Sequence, residues 1–293
     1  MRIAVIGARG QLGAAVVHEC RPAHDVVALT HADLDITDDR AVTDVIERVR
    51  PDAIVNCAGD NRVDAAEDCP VDALNANAFA VRALARAACH QGAALVHYSS
   101  DFVFDGVTER PYTEDDRPNP LGVYAASKLL GEWFAVDAPR AYVLRVESLF
   151  GRAPGGASKG SVEAILQGLM AGAAPKVFED RTVSPAYVID VARATRLLLE
   201  SRLPAGLYHC VNTGCCTWLE FARVMAELLG IEPRLTPVRM ADVTLRARRP
   251  QYCALSNEKL RAAGVDMPSW QDALGRYLEC LRGDLRDQAA HGE

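Results

Sequence analysis

A chain of 293 residues that is 49% hydrophobic and 24% charged has the composition of a globular protein, with room for one large domain and a smaller lobe. Its net charge of -7 argues against a nucleic-acid-binding protein, because such a protein needs a basic surface. No apolar run approaches the roughly 18 residues of a membrane span, so we expect no membrane helix, no signal peptide and a cytoplasmic location. The nine scattered cysteines form no pair of C-x-x-C motifs, which predicts reduced, mostly buried thiols and no zinc site.

The first element is a glycine turn between a strand and a helix. Residues 2–6 predict a short buried strand, the turn Gly7-Ala8-Arg9-Gly10-Gln11-Leu12-Gly13 follows directly, and an apolar pattern with helical spacing begins at Leu12. In this arrangement a pyrophosphate lies at the helix N-terminus. Gly7 permits the tight turn, Gly10 lets the backbone approach the phosphate, and Gly13 lets the helix pack on the sheet.

Strands and helices then alternate. Further strands are predicted at residues 26–29, 53–56, 94–98, 141–144, 176–178 and 207–211, and helices at 38–50, 71–90, 121–137, 161–171, 188–201 and 217–229. The alternation predicts an α/β fold, a Rossmann-like doubly wound parallel sheet with helices on both faces. Ligands of such a sheet lie at the carboxyl ends of its strands. We therefore expect Asp60-Asn61, Ser99-Ser100 and Arg145 at the ligand site.

The end of the second strand bears on the choice of cofactor. An acidic residue there would hold the ribose 2′-hydroxyl of NAD, but this chain has Thr30-His31. Arg9 in the glycine turn offers a guanidinium for a 2′-phosphate. These residues favour NADPH, with NADH as the alternative. The cofactor-binding residues expected from the glycine turn and the strand that follows it are Gly7, Arg9, Gly10, Gln11, Leu12, Gly13, Asp35 and Ile36.

A hydroxyl, a phenol and an ammonium group are predicted to converge beside this cofactor. Ser100 follows the apolar strand 94–98, and Tyr124 and Lys128 are four residues apart on one face of a predicted helix. A neighbouring ammonium makes a phenol ionise more easily, and a hydroxyl at a strand end can hold a carbonyl oxygen. The arrangement predicts a proton donor for carbonyl reduction. Without a hydride source, the tyrosine and lysine would be an ordinary solvated pair.

Several motifs together resemble those of a known family. The glycine triad, the run Ser99-Ser100-Asp101-Phe102-Val103-Phe104-Asp105-Gly106 and Tyr124-x-x-x-Lys128 are similar to those of extended short-chain dehydrogenases/reductases. More narrowly, the chain resembles the dTDP-4-dehydrorhamnose reductase family from residue 1 to about residue 280. Supporting segments are Val63-Asp64-Ala65-Ala66-Glu67, Ala205-Gly206-Leu207-Tyr208-His209, Thr217-Trp218, Ala247-Arg248-Arg249-Pro250 and Leu255-Ser256-Asn257-Glu258-Lys259-Leu260.

The resemblance implies reduction of the 4-keto group of a nucleotide-activated deoxysugar. Tyr124 would donate the proton, Lys128 would lower its pKa and hold the nicotinamide ribose, and Ser100 would bind the substrate oxygen. Asn75 would support the site, and homodimers are common in the superfamily. The cofactor-binding residues that the resemblance adds are Ala58, Gly59, Asn75, Ser99, Tyr124 and Lys128. The expected substrate-binding residues are Asn61, Val63, Ser100, Asp101, Phe102, Ser148, Arg248 and Arg249.

Two departures from the family pattern matter. Ser148, beside Glu147, stands where the family often has a tryptophan, so we expect a roomier and wetter sugar pocket. Ala14-Ala15 replaces a glutamate that some members use for magnesium, so we expect no metal.

The expected division of the chain gives residues 1–150, rejoined by about 187–211, to a cofactor domain. Residues 151–186 and 212–283 would form a substrate-binding lobe, and 284–293 a frayed tail. A non-catalytic dinucleotide-binding subunit, resembling the regulatory subunit of methionine adenosyltransferase, is the alternative function. Epimerisation or dehydration is a third, which Asp101-Phe102 disfavours because dehydratases of the superfamily usually carry an Asp-Glu pair there.

Overall fold

A six-stranded, wholly parallel sheet forms the centre of the protein. The computed structural model describes residues 1–156 and 160–290, with side chains up to residue 283. The sheet strands are β1 (Arg2–Ile6), β2 (Asp25–Leu29), β3 (Ala53–Asn56), β4 (Ala94–Ser100), β5 (Ala141–Val146) and β10 (Gly206–His209). Their order is β10-β5-β4-β3-β1-β2, and all pairs are parallel. The predicted doubly wound α/β fold is confirmed.

Helices cover both faces of this sheet. The helices are α1 (Gln11–Cys20), α2 (Asp39–Val49), α3 (Val63–Asp68), α4 (Pro70–Leu74), α5 (Ala80–Gln91), α6 (Val123–Ala135), α7 (Ser161–Met170), α8 (Val188–Glu200), α9 (Trp218–Leu229), α10 (Glu258–Ala262) and α11 (Trp270–Ala290). A π-helical turn, Asn75–Phe79, joins α4 to α5. Alternate residues of β1 pack on opposite faces: Ile3 and Val5 join the core under α1 and α8, whereas Ala4 and Ile6 join the core under α2 and α5.

Three small two-stranded sheets lie beyond the main sheet. β6 (Leu149–Phe150) pairs with β9 (Ala186–Tyr187), β7 (Lys176–Phe178) with β12 (Thr236–Val238), and β8 (Thr182–Val183) antiparallel to β11 (Cys216–Thr217). An aromatic cluster of Phe150, Tyr187, Phe221 and Tyr277 continues the core of the main sheet into this region. The core runs without a break from the main sheet into this region. The expected division between a cofactor domain and a substrate lobe stays a prediction.

One local prediction differs from the structure and one stays a prediction. Helix α11 runs to Ala290, into the segment predicted as a frayed tail, and the fraying of that segment stays a prediction; residues 291–293 lie outside the described residues. Arg145 was expected at the ligand edge, but β5 extends past it. Its guanidinium is buried and forms a two-pronged ion pair with Glu132 at 2.8 and 2.7 Å. In the described part of the chain, no helix combines the length and the apolar character needed to cross a membrane.

Candidate active site

The carboxyl ends of the central strands open into a cavity of about 1320 Å³. The chain runs from β1 to β2 on one side and continues with β3 on the other, so the sheet order reverses there, where α/β proteins bind ligands. Most of the predicted site residues line this cavity: Gly7, Arg9, Gly10, Gln11, Leu12, Asp35, Ile36, Ala58, Gly59, Asn61, Val63, Asn75, Ser99, Ser100, Asp101, Phe102, Tyr124, Lys128, Ser148 and Arg249. Gly13 and Arg248 are not among the lining residues.

The glycine turn has the shape that a dinucleotide requires. Gly7 has a φ of 76°, which favours glycine, and its N–H donates to Leu29 O at 2.9 Å. Helix α1 begins directly at the cavity, with Gly10 as its N-cap and no side chain capping its first N–H groups. These N–H groups are free to bind an anion. Gly13 lies behind the turn, where a Cβ would approach Gly7 O to 2.2 Å. The residues present therefore fit the pyrophosphate of an NADP cofactor.

Arg9 is the cation at the adenosine end of the cavity. It is exposed, whereas the nearby carboxylates are bound locally: Asp33 accepts from Thr30 N and Oγ1 at 2.9 and 2.6 Å. Asp35 accepts from Thr37 N and Oγ1 at 2.9 and 2.8 Å. These hydrogen bonds hold the pKa of both carboxyls below the usual value. This geometry leaves the guanidinium available to a 2′-phosphate.

Ser100, Tyr124 and Lys128 all reach the same cavity. Ser100 ends β4, and its hydroxyl donates to Asp101 Oδ1 at 2.8 Å. Tyr124 lies in the first turn of α6, with its ring edge-on to Phe102 at 5.5 Å. Lys128, one turn later, donates from Nζ to Tyr98 O at 2.6 Å. The spacing of Tyr124 and Lys128 thus gives one helical face that points into the cavity.

Burial has the dominant effect on these groups. It raises the pKa of Tyr124 well above its usual value, and the Ser100 hydroxyl opposes this only in part. Burial also lowers the pKa of Lys128 to about 8. The sequence predicted that the ammonium lowers the pKa of the phenol; in the structure the pKa of Tyr124 moves the other way, because desolvation disfavours its charged form. Tyr124 is therefore a neutral phenol that retains its proton at physiological pH.

Asn77 is a positioning residue that the sequence did not reveal. It is fully buried, accepts from Asp60 N at 2.9 Å, and donates to Asp60 O at 2.8 Å and to Ser127 Oγ at 3.0 Å. These bonds tie the loop after β3 to α6. The sequence pointed to Asn75, which lines the cavity itself. The π-helical turn explains why the sequence did not reveal Asn77. Its wider turn changes the directions in which residues 75 and 77 face from those of a regular α-helix.

The basic segment around residue 248 is largely engaged by acidic residues of α3. Arg249 lines the cavity and donates to both carboxylate oxygens of Asp64 at 3.0 and 2.8 Å. Arg246 pairs with Asp68, and Arg248 is exposed. Of the two arginines predicted to bind substrate, the structure therefore places Arg249 at the cavity and Arg248 outside its lining. Glu147, Arg181 and Trp218 also line the cavity, although the sequence did not assign them a binding role.

Comparison with known proteins identifies the family. Over residues 1–282, the chain matches the protein-family model described as the RmlD substrate binding domain. The chain belongs to this family. The resemblance to dTDP-4-dehydrorhamnose reductases inferred from the motifs is thereby confirmed.

The similar proteins named as dTDP-sugar reductases match nearly the whole chain. The dTDP-4-dehydrorhamnose reductase of Mycobacterium tuberculosis is 37% identical over 286 residues, covering 94% of this chain and 92% of that protein. The dTDP-4-keto-6-deoxy-D-glucose reductase of Streptomyces niveus is 32% identical over 285 residues, covering 96% and 97%. The crystal structure of dTDP-4-dehydrorhamnose reductase from Bacillus anthracis in complex with NADP has a TM-score of 0.89 at 32% identity and covers 94% of this chain and 98% of that one.

Proposed function

We propose that this protein is an NADPH-dependent reductase that converts the 4-keto group of a nucleotide-activated deoxysugar to an alcohol, with dTDP-4-dehydrorhamnose as the first substrate to test. The decisive observation is that Ser100, Tyr124 and Lys128 line the same cavity as the glycine turn. The names of the M. tuberculosis and S. niveus relatives support a dTDP-sugar substrate, and the NADP in the B. anthracis structure supports the cofactor.

Different residues of the cavity bind the substrate oxygen, donate the proton and stabilise the phenolate. NADPH, when bound, supplies the hydride. The hydroxyls of Ser100 and Tyr124 hold the substrate carbonyl oxygen, and Tyr124 releases its proton only when negative charge develops on that oxygen, because its burial disfavours a free phenolate. Lys128, held by the Tyr98 carbonyl, keeps a positive charge beside the site below about pH 8 and stabilises the phenolate once it forms.

The substrate end of the cavity offers groups for a sugar and its diphosphate. Phe102 provides an apolar wall, and Ser148, half-buried at a φ of 43°, leaves space that a tryptophan would fill. Arg249 and the exposed Arg248 are the guanidinium groups that we assign to the diphosphate. Asn61 and Val63 complete this assignment on the loop after β3.

The alternative of a non-catalytic dinucleotide-binding subunit is less well supported. A protein that only binds the cofactor does not require a buried lysine and a buried tyrosine at its nicotinamide end, and burying Lys128 is costly. Turnover distinguishes the two functions, because a binding subunit would take up NADPH without oxidising it. Epimerisation or dehydration would regenerate the cofactor and give no net loss of NADPH absorbance.

The test is the substrate-dependent oxidation of NADPH with dTDP-4-dehydrorhamnose, with NADH in parallel. Tyr124→Phe should lower turnover by at least about 100-fold, the usual loss on removing a general acid, with NADPH binding retained. Tyr208→Phe is the matched control, because its hydroxyl donates to Pro204 O, away from the cavity, and its turnover should stay near that of the unmodified enzyme. Undiminished turnover in Tyr124→Phe would refute the assigned role.

The predictions of a homodimer, a cytoplasmic location and no metal requirement are also part of this proposal. A homodimer is supported by two exposed aromatic side chains, Trp133 on α6 (62% exposed) and Phe79 (38% exposed), whose ring lies 6.2 Å from that of Phe134. Light scattering across a concentration series tests it. A cytoplasmic location is supported by the cofactor requirement, and cell fractionation tests it. The absence of a metal requirement is tested by activity after chelation.

A further inference from the structure

Two buried carboxyl groups, those of Asp101 and Glu147, lie close to Ser100. One carboxylate oxygen of Asp101, one of Glu147 and the Sγ of Cys253 lie within 4.8 Å of one another. Both carboxyls are nearly inaccessible, with Asp101 4% and Glu147 2% exposed. Asp101 Oδ1 accepts from Ser100 and Glu147 Oε2 accepts from Ser184 N at 2.6 Å. Their other oxygens, Oδ2 and Oε1, are buried without a hydrogen-bond partner.

A single guanidinium acts on both carboxyls. Arg181 stabilises their charged forms, and it also lies over the Phe102 ring at 5.4 Å and donates to Cys253 Sγ at 3.6 Å. The other titratable groups that face Glu147 or Asp101 are Cys215, Cys216, Tyr252, Cys253 and Tyr124. All of these have a raised pKa and are neutral near pH 7. Two ionised carboxylates would therefore face one positive charge.

Electrostatics disfavour that doubly ionised state. Like charges a few ångströms apart repel strongly where water is excluded, so one of two such carboxyls retains a proton. Burial raises the pKa of Asp101 and, more strongly, that of Glu147, and the Asp101 carboxylate raises the pKa of Glu147 further. One proton on the pair leaves one negative charge opposite Arg181. The arrangement is then neutral and needs no metal ion.

We infer that Asp101 and Glu147 hold one proton between them and deliver it through the Ser100 hydroxyl to Tyr124 after each reduction. This inference rests on the proposed roles of Ser100 and Tyr124. Ser100 lies between the pair and Tyr124, since its hydroxyl donates to Asp101 Oδ1 at 2.8 Å and interacts with the Tyr124 phenol, while the Glu147 oxygen lies within 4.8 Å of that of Asp101. Asp101 and Glu147 act through Ser100, and neither needs to contact the reacting carbon.

The proton count closes over one turnover. Tyr124 gives its proton to the oxygen of the reduced carbonyl and becomes a phenolate. The phenolate takes the hydroxyl proton of Ser100 while Ser100 takes the proton of the carboxyl pair, so one O–H bond forms for each that breaks. The pair, now doubly ionised, regains a proton from water after the product leaves. No oxidant or further reactant is needed.

Infrared spectroscopy of the ligand-free enzyme tests the shared proton independently of activity. In D₂O at pH 7 we expect a C=O band from a protonated carboxyl, which shifts when aspartate or glutamate is ¹³C-labelled. The band should disappear in both Glu147→Gln and Asp101→Asn, because the remaining carboxyl can then ionise opposite Arg181. Glu114→Gln is the control: burial also raises the pKa of this carboxyl, but Glu114 does not line the cavity. A band that survives in both variants, or no labelled band in the unmodified protein, would overturn the inference; the labelling result stands even if a variant does not fold.

Rapid kinetics test the delivery step. Glu147→Gln should show a first turnover of NADPH oxidation followed by steady-state turnover slowed by at least about tenfold, with a larger solvent deuterium isotope effect. The alkaline limb of its kcat profile should move to lower pH, since the Asp101 carboxyl that remains ionises opposite Arg181 at a lower pH than the pair gives up its shared proton. An unchanged steady state and pH profile would refute proton delivery. Failure of the proposed function gives a different result, in which the unmodified protein binds NADPH but does not oxidise it with the keto sugar.

Discussion

Gly13→Ala provides a quantitative test of how the glycine turn is built. A Cβ at residue 13 would approach Gly7 O to 2.2 Å, whereas ordinary contact begins at 3.4 Å, so α1 must move by roughly 1 Å from the turn. Overpacking of this kind costs about 3 kcal/mol, and alanine regains about 1 kcal/mol through its helix propensity. We expect a net loss of about 2 kcal/mol in the free energy of unfolding and a drop in Tm of about 5 °C.

Gly10→Ala is the matched control for this measurement. Its Cβ would lie 3.1 Å from the same Gly7 oxygen, a contact that small adjustments can relieve. We expect urea unfolding to show a change below about 1 kcal/mol for Gly10→Ala, while NADPH fluorescence titration shows weaker binding in both variants. Gly13→Ala with unchanged or increased stability would refute the assigned packing of α1 on the turn.

The remaining predictions concern charge and backbone strain. Arg9→Glu should weaken NADPH binding by about 10- to 100-fold with little effect on NADH, as titration against an Arg86→Glu control on α5 would show; equal losses for both cofactors would contradict a 2′-phosphate contact. The pKa of Lys128 is depressed to about 8, so the stability it contributes is lost as pH falls from 10.5 through 8. Lys128→Met should therefore raise the free energy of unfolding at pH 7 by about 2 kcal/mol and flatten its rise between pH 8 and 10.5 while abolishing turnover; an unchanged pH slope would contradict the depressed pKa. Ser148→Gly should stabilise the protein by about 1 kcal/mol, because it relieves a left-handed serine, whereas Ser201→Gly, at a φ of -80°, should not; equal effects in thermal melts would refute the strain.

The parts of the site that the sequence predicted are those set by local rules. The glycine turn lies between a buried strand and an amphipathic helix, and only glycine tolerates its backbone and close packing. Tyr124 and Lys128 are one helical turn apart, which fixes their common face once the helix forms. Ser100 follows from the boundary of a buried strand. Each of these inferences needs about a dozen neighbouring residues and no knowledge of the tertiary structure.

The parts that the sequence missed depend on contacts between distant segments. Glu147, Arg181 and Cys253 join the predicted residue Asp101 in one cluster, although the four are separated by 34 to 152 positions in the chain. The pairing of β4 with β5 brings Asp101 and Glu147 together, and the return of the chain through β8 and residue 253 adds Arg181 and Cys253. The wrong prediction for Arg145 has a similar origin. Its position at the end of an apolar run suggested a ligand site, whereas Glu132 on α6 neutralises it inside the sheet. Spacing cannot reveal such partners, since each candidate cation has many carboxylates within reach of an unfolded chain.

The electrostatic error about Tyr124 follows from the same limitation. Sequence spacing gives the distance between a phenol and an ammonium group but not the water that surrounds them. At a surface the Coulomb attraction would dominate, and the pKa of the phenol would fall. In this cavity both groups are dry, so desolvation raises the pKa of Tyr124 and lowers that of Lys128. The consequence is chemical. A phenol that resists ionisation keeps its proton until the substrate oxygen becomes more basic than the phenolate. After the transfer, the phenolate needs an acid within reach to restore its proton. The buried carboxyls behind Ser100 are placed to provide it.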